Sequence, residues 1–174
     1  MSDVRIRTAA PSDIAAITSI YADAVRNGTA TFEVEPPTEA EIARRVHVLQ
    51  ANSYPYLVAE RSGLIAGYAY AGPYHLRPAY RWTVEDSIYL DPQFRRQGIG
   101  RLLIRQLLAD VETRGFRQII ALVGDSTNTA SIALHAAAGF QRVGTLRSVG
   151  YKHGRWLDVV MMQRPLGGAD ASPP

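Results

Sequence analysis

The chain has 174 residues, 47% hydrophobic and 20% charged, which suits one compact soluble domain and is short for two. It has no cysteine, which excludes disulfides and thiolate metal sites, and its four histidines form no His-x-x-x-His pair, so no metal is expected. A formal charge of +3 from scattered arginines gives no nucleic-acid footprint; with no apolar leader and no 18-residue apolar run, a cytoplasmic protein without membrane association is expected.

In chain order, Val4, Ile6 and Thr8 alternate with Arg5 and Arg7, which predicts a short strand. Pro11-Ser12 open a helix running to about Arg26, with Ile14, Ile17, Tyr21 and Val25 on one face and Gly28 as the stop. Residues 29–37 form a loop that carries Phe32. Thr38-x-x-Glu41 is a capping box, and Ile42, Val46 and Leu49 make the stripe of a second helix. Residues 55–61 and 64–71 read as a hairpin turning at Ser62-Gly63. A loop dense in aromatics and arginine follows, Tyr74-His75-Leu76-Arg77-Pro78-Ala79-Tyr80-Arg81.

The most informative stretch comes next. Trp82, Val84, Ile88 and Leu90 alternate with Thr83, Glu85, Ser87 and Tyr89, the period of a half-buried strand, and Asp91-Pro92 ends it. Ile99, Leu102, Leu103, Leu107 and Val111 then recur at helical spacing. Between strand and helix stands Arg95-Arg96-Gln97-Gly98-Ile99-Gly100. Glycines there let backbone approach a ligand, and a helix start presents free N–H groups, so the place suits a phosphate. It is no P-loop, since no Gly-Lys-Ser/Thr follows, and no dinucleotide fingerprint, since Leu103 replaces the third glycine. Taken alone, the six residues also fit a plain glycine turn.

Beyond Gly115, residues 119–123 are a continuous apolar run, the mark of a strand buried on both faces. Asn128 precedes an alanine-rich helix over 130–138, stopped by Gly139. Residues 141–146 and 157–163 read as two further strands with Gly150-Tyr151-Lys152-His153-Gly154-Arg155-Trp156 between them. From Pro165 a flexible tail is expected, so residues 1–164 form the single domain and 165–174 the tail. The element order predicts an α/β fold with a mixed sheet.

The glycine run resembles the Arg/Gln-x-x-Gly-x-Gly/Ala signature of the GCN5-related N-acetyltransferase (GNAT) superfamily. The stretch Asn128-Thr129-Ala130-Ser131-Ile132-Ala133-Leu134-His135, continued to Gly139-Phe140, resembles the superfamily's second motif. Tyr70-Ala71-Gly72-Pro73, Tyr80-x-Trp82-Thr83-Val84-Glu85 and Gly150-Tyr151-Lys152-His153-Gly154-x-Trp156 are similar to the phosphinothricin and methionine sulfone N-acetyltransferases within it. The resemblance implies the GNAT fold, a twisted mixed sheet of about six to seven strands flanked by about four helices. It also implies acetyl-CoA as co-substrate, a small amino-acid analogue as acceptor, and a homodimer. For the cofactor it points to Ile88, Tyr89 and Leu90, to Arg96, Gln97, Gly98, Ile99, Gly100 and Arg101, and to Asn128. For the acceptor it points to Phe32, His75, Leu76, Arg77, Tyr80, Glu85, Asp86 and Ser87.

Acetyl transfer to an amine requires loss of an ammonium proton, polarisation of the thioester and stabilisation of the departing thiolate. Glu85 is the candidate base, because a carboxylate in a partly apolar cleft holds its proton more tightly. Asp86 falls on the opposite face by pleating, which suits a structural hydrogen bond or ion pair rather than a dyad. His135 stands where the superfamily usually has a tyrosine acid, and a histidine can fill that role near neutral pH. Arg77 and Tyr80 suit an anionic head. An acceptor of another kind, a protein N-terminus or a polyamine, and a non-catalytic acyl-CoA-binding module are the alternatives. The intact Glu85 and the arginine-rich loop favour an enzyme for a small anionic amine.

Overall fold

In a computed structural model that describes residues 4–171 and 173, eleven elements follow one another. They are β1 (Val4–Thr8), α1 (Ile14–Asn27), α2 (Glu39–Ala51), β2 (Tyr56–Arg61), β3 (Leu64–Pro73), β4 (Thr83–Leu90), α3 (Ile99–Thr113), β5 (Gln118–Gly124), α4 (Thr129–Ala137), β6 (Gln141–Lys152) and β7 (Arg155–Pro165). The strands make one seven-stranded sheet in the order β1-β2-β3-β4-β5-β7-β6. Every neighbouring pair is antiparallel except β4 and β5, which are parallel and joined through α3. The architecture is the α/β mixed sheet expected of a GNAT fold.

Period-2 side chains send each strand's residues to two cores. On one face, Ile17, Ile20, Tyr21 and Val25 of α1 and Ile42 and Val46 of α2 cover Tyr56, Val58 and Tyr68. On the other, Ile99, Leu103, Leu107 and Val111 of α3 cover Ala69, Ala71, Val84 and Ile119. The small residues Ala69 and Ala71 let α3 lie close to the sheet. Thr38 caps α2 through its side chain, accepting from Glu41 N–H at 3.2 Å, while the Glu41 carboxylate turns outward to Arg44 and Arg45.

Three expectations are corrected. Leu122, within the run read as buried on both faces, is 38% exposed, because β4 has already left β5 at that level. Residues 150–156 are no separate loop: β6 and β7 are one long hairpin, closed at His153-Gly154 with φ of 50° and 74°. Leu166 is 1% exposed in the α3-side core, and Gly167 N–H donates to Glu112, so packed chain continues past the tail boundary expected at Pro165.

Candidate active site

The site begins where the sheet opens. β4 and β5 pair from Thr83↔Gln118 to Asp86↔Ala121 and no further, although β4 runs to Leu90 and β5 to Gly124. Beyond that point Ser87, Ile88 and Tyr89 face Leu122, Val123 and Gly124 across a cleft that Asn128, Ser131, His135 and Ala30 also line. Backbone N–H and C=O groups on the facing edges have no ladder partner there, so a ligand with amide groups can pair with them.

At the outer end of β4 the chain is shaped for an anion. Asp91 Oδ1 accepts from Gln93 N–H at 2.8 Å, Arg96 and Gly98 take positive φ of 60° and 81°, and α3 begins at Ile99. The N–H groups of Arg101 and Leu102 both reach Gly98 O, leaving those of Ile99 and Gly100 without a helical acceptor. Apart from Gly98 and its chain neighbours, no atom of the described residues lies within 4 Å of where a Gly98 Cβ would stand, so the space beside that backbone is open. Gly100 is buried, and a Cβ there would lie 3.3 Å from Leu134 of α4; its smallness lets the two helices meet beside the cleft. Asn128 caps α4, its side chain accepting from Ser131 N–H at 3.2 Å. Of the expected cofactor residues, Ile88, Tyr89 and Asn128 line the cleft, and the 96–101 turn follows the outer end of β4. The Gln97 side chain is held by Arg61 and by the Gln93 carbonyl.

Glu85 and Asp86 leave β4 on opposite faces. Glu85 shares its face with Tyr70, a β3 side chain from the adjoining register position. Burial, helped by the charge of Asp86, pushes the Glu85 carboxyl up to about 7. Asp86 and His135 are buried together, His135 Nε2 at 2.9 Å from Asp86 Oδ2. His135 Nδ1 lies 2.8 Å from the Ser131 carbonyl, which can only accept. Burial alone would lower the His135 pKa; the Asp86 hydrogen bond and charge, with the Ser131 carbonyl, carry it above the ordinary value. Asp86 Oδ1 is buried and has no hydrogen-bond partner among the described residues.

One loop reaches the cleft through Ala30, and another, residues 74–81, leads into the paired end of β4. Phe32 lies against Gly150 of β6, whose missing side chain makes room for the ring. Its loop is held from three sides. Lys152 Nζ donates to Thr31 O at 2.8 Å, His153 Nε2 donates to Gly28 O at 3.2 Å, and Tyr21 OH meets Thr31 Oγ1 at 2.8 Å. Gly124 lets the Thr29 carbonyl close in, and Asp125, tied to Arg155, accepts from Thr29 Oγ1. The 74–81 loop is a cluster of Tyr74, His75 and Tyr80 rings, with Leu76 91% exposed. Arg77 is exposed on it; its carbonyl accepts from Tyr80 N–H at 2.9 Å, while its guanidinium makes no hydrogen bond or ion pair among the described residues, so this chain alone does not bring Arg77 onto Glu85. Sequence reasoning missed Lys152 as the loop's anchor. It also missed a cavity lined by Tyr21, Tyr56, Tyr68, Tyr70 and Arg45, although Tyr68 and Tyr70 at period 2 marked that face.

A parallel pair splayed beyond its midpoint, with a glycine-started helix at its outer end, defines an acetyltransferase of the GNAT type. Residues 6–161 match the acetyltransferase (GNAT) domain family, and the chain belongs to it. A phosphinothricin N-acetyltransferase of Alcaligenes faecalis is 54% identical over 97% of this chain and 86% of its own. An L-methionine sulfoximine/L-methionine sulfone acetyltransferase of Salmonella typhimurium is 36% identical over 92% and 94%. The crystal structure of a phosphinothricin acetyltransferase from Sinorhizobium meliloti, in complex with AcCoA, superposes with a TM-score of 0.96 at 47% identity, covering 100% of this chain and 94% of that one.

Proposed function

We propose that this enzyme transfers the acetyl group of acetyl-CoA to the α-amino group of a small glutamate or methionine analogue such as phosphinothricin, methionine sulfone or methionine sulfoximine. The observation that carries the reading is Glu85, a carboxylate whose burial pushes its pKa up to about 7, one residue before the last pair that joins β4 to β5. Relatives named for these acceptors span nearly the whole chain, and a relative crystallised with AcCoA shares its fold throughout.

In this reading the thioester lies in the wedge beside Ser87–Leu90, and the pyrophosphate sits over the 96–101 turn on the free amides of Ile99 and Gly100. Glu85 takes a proton from the ammonium, and the amine attacks the thioester carbonyl. Arg77, Tyr80, His75, Leu76 and Phe32 form the acceptor's surroundings, with Ser87 at the wall. His135 and Asp86 stand on the other side of β4, toward the thioester.

A homodimer belongs to the same reading. The edge hairpin exposes Val143, Leu146, Val149, Tyr151 and Trp156, an apolar row that a second copy would cover. Among the described residues no helix is long and apolar enough to cross a membrane, and we place the enzyme in the cytoplasm. The test is thiol release from acetyl-CoA with phosphinothricin, methionine sulfone, methionine sulfoximine, spermidine and an alanine-terminated peptide side by side. Highest kcat/KM for one of the first three is expected; preference for the peptide or polyamine, or no turnover with any, refutes it. Sedimentation during turnover should show twice the 19.1 kDa chain mass.

A further inference from the structure

Neither ring nitrogen of His135 is free. Nδ1 lies 2.8 Å from the Ser131 carbonyl and therefore carries a proton, with Ser131 Oγ more distant at 3.4 Å. Nε2 lies 2.9 Å from Asp86 Oδ2. That second contact needs one proton, placed on the ring as an imidazolium facing a carboxylate or on a neutral carboxyl facing a lone pair. Three features put it on the ring. An imidazole binds a proton more tightly than a carboxylate by roughly 2.6 pKa units. His135 sits in the last turn of α4, where the helix end favours a cation. Ser131 adds a carbonyl dipole on the far nitrogen. With side chains 6% and 1% exposed, the pair is sheltered from competing water.

We infer that Asp86 is a positioning residue that holds His135 as a doubly protonated, fixed cation on the cleft wall, so that His135 assists the transfer by its charge and not by giving up a proton. The inference rests on acetyl transfer taking place in this cleft. It separates the work on β4 by face: Glu85 handles protons on the acceptor side, and on the other the Asp86–His135 ion pair, neutral as a whole, sets the imidazolium as the positive end of a fixed dipole. When the carbon–sulfur bond breaks, its electron pair leaves with sulfur toward that cation. Of the two protons the ammonium gives up, one passes to solvent through Glu85 and the other ends on sulfur by way of water. The ring keeps both of its own. Among the described residues, Tyr89 lines the same cleft as the pair, Glu85 on the opposite face feels the charge of Asp86, and Asp125, past the end of β5, is tied to Arg155. β5 itself presents Ala121, Leu122 and Val123.

The test reads His135 directly and then the rate. In the wild-type enzyme, ¹³C and ¹⁵N NMR of histidine-labelled protein should show both His135 nitrogens protonated at pH 7, with a titration midpoint above the ordinary value. In Asp86→Asn the midpoint should fall below it. In kinetics, Asp86→Asn should lose about 10- to 100-fold in kcat at pH 7.5 with little change in KM for acetyl-CoA. The alkaline limb of its pH–rate profile should move to lower pH, and His135→Gln should abolish that limb. A structural role alone would lower yield and Tm and leave the limbs in place. A neutral His135 in the wild type at pH 7, or an Asp86→Asn limb at the wild-type position, overturns the inference. Should Asp86→Asn fail to fold, the wild-type spectrum and the His135→Gln profile decide. Should no acetyl transfer occur, the spectrum still tests the pairing while the functional reading falls by itself.

Discussion

Glu85 carries opposite demands, and both are measurable. A carboxyl with a pKa of about 7 is a competent base only above that pH, so kcat/KM should rise through about pH 7. Glu85→Gln keeps the shape and cannot accept the proton. We expect it to lower kcat at neutral pH by about 10²–10⁴, with partial recovery at high pH where free amine is present. The same burial has a stability sign. A folded pKa raised above the unfolded value contributes stability that is complete below the unfolded pKa and is lost as pH rises through about 7. Glu85→Gln should therefore melt higher than the wild type at pH 8, an advantage that shrinks toward pH 4.5. An unchanged rate and unchanged Tm would remove Glu85 from the base role. Arg77, exposed and with its guanidinium unpaired among the described residues, should act only through the acceptor. Arg77→Ala should raise the acceptor KM about 10- to 100-fold with the acetyl-CoA KM unaltered. A crystal of the acceptor complex with Arg77 in bulk solvent would count against it. The face of Glu85 was legible in the sequence because alternation fixed it, whereas its candidacy as base came from the resemblance. The Asp86–His135 contact was half legible: pleating set Asp86 apart from Glu85, yet its partner lies 49 residues on, beyond any local pattern.

At the scale of elements, the turn before α3 is the part most open to test. Gly98 has φ of 81° and empty space where a side chain would project, the space the pyrophosphate is proposed to fill. Gly98→Val should raise the acetyl-CoA KM at least about tenfold through backbone strain and obstruction, while the acceptor KM holds. Equal cofactor affinity in the variant would place the pyrophosphate elsewhere. Strands and helices were legible wherever period and caps agreed, as in α2 with Thr38 and β4 before Asp91-Pro92. The long β6–β7 hairpin was not. Its turn needs His153 and Gly154 both at positive φ, and only the glycine announces that. The apolar residues beside it, Val149, Tyr151 and Trp156, face outward, so the usual sign of a buried face was missing.

Taken whole, the molecule is two half-sheets joined by four parallel residue pairs and one crossover helix. The loop carrying Phe32 spans this division, held by Tyr21 from one half and by Lys152 and His153 from the other. No single segment of sequence discloses such a brace, since its members lie 10 to 125 residues apart. The open ends of β4 and β5 have a thermodynamic consequence. A pantetheine amide chain laid between them would act as an eighth strand, and a cofactor bound there would complete a sheet that the polypeptide leaves unfinished. Binding and folding are then linked. Acetyl-CoA at a hundred times its Kd should add about 2.7 kcal/mol to the unfolding free energy. For a chain of this size that is a rise of roughly 5–10 °C in Tm. Backbone amides of 87–90 and 122–124 should at the same time become slow to exchange with deuterium, whereas those of β1 and β2 keep their rates. Resistance to heat and proteolysis in the cell would accordingly track the supply of acetyl-CoA, making the enzyme most durable when its donor is plentiful.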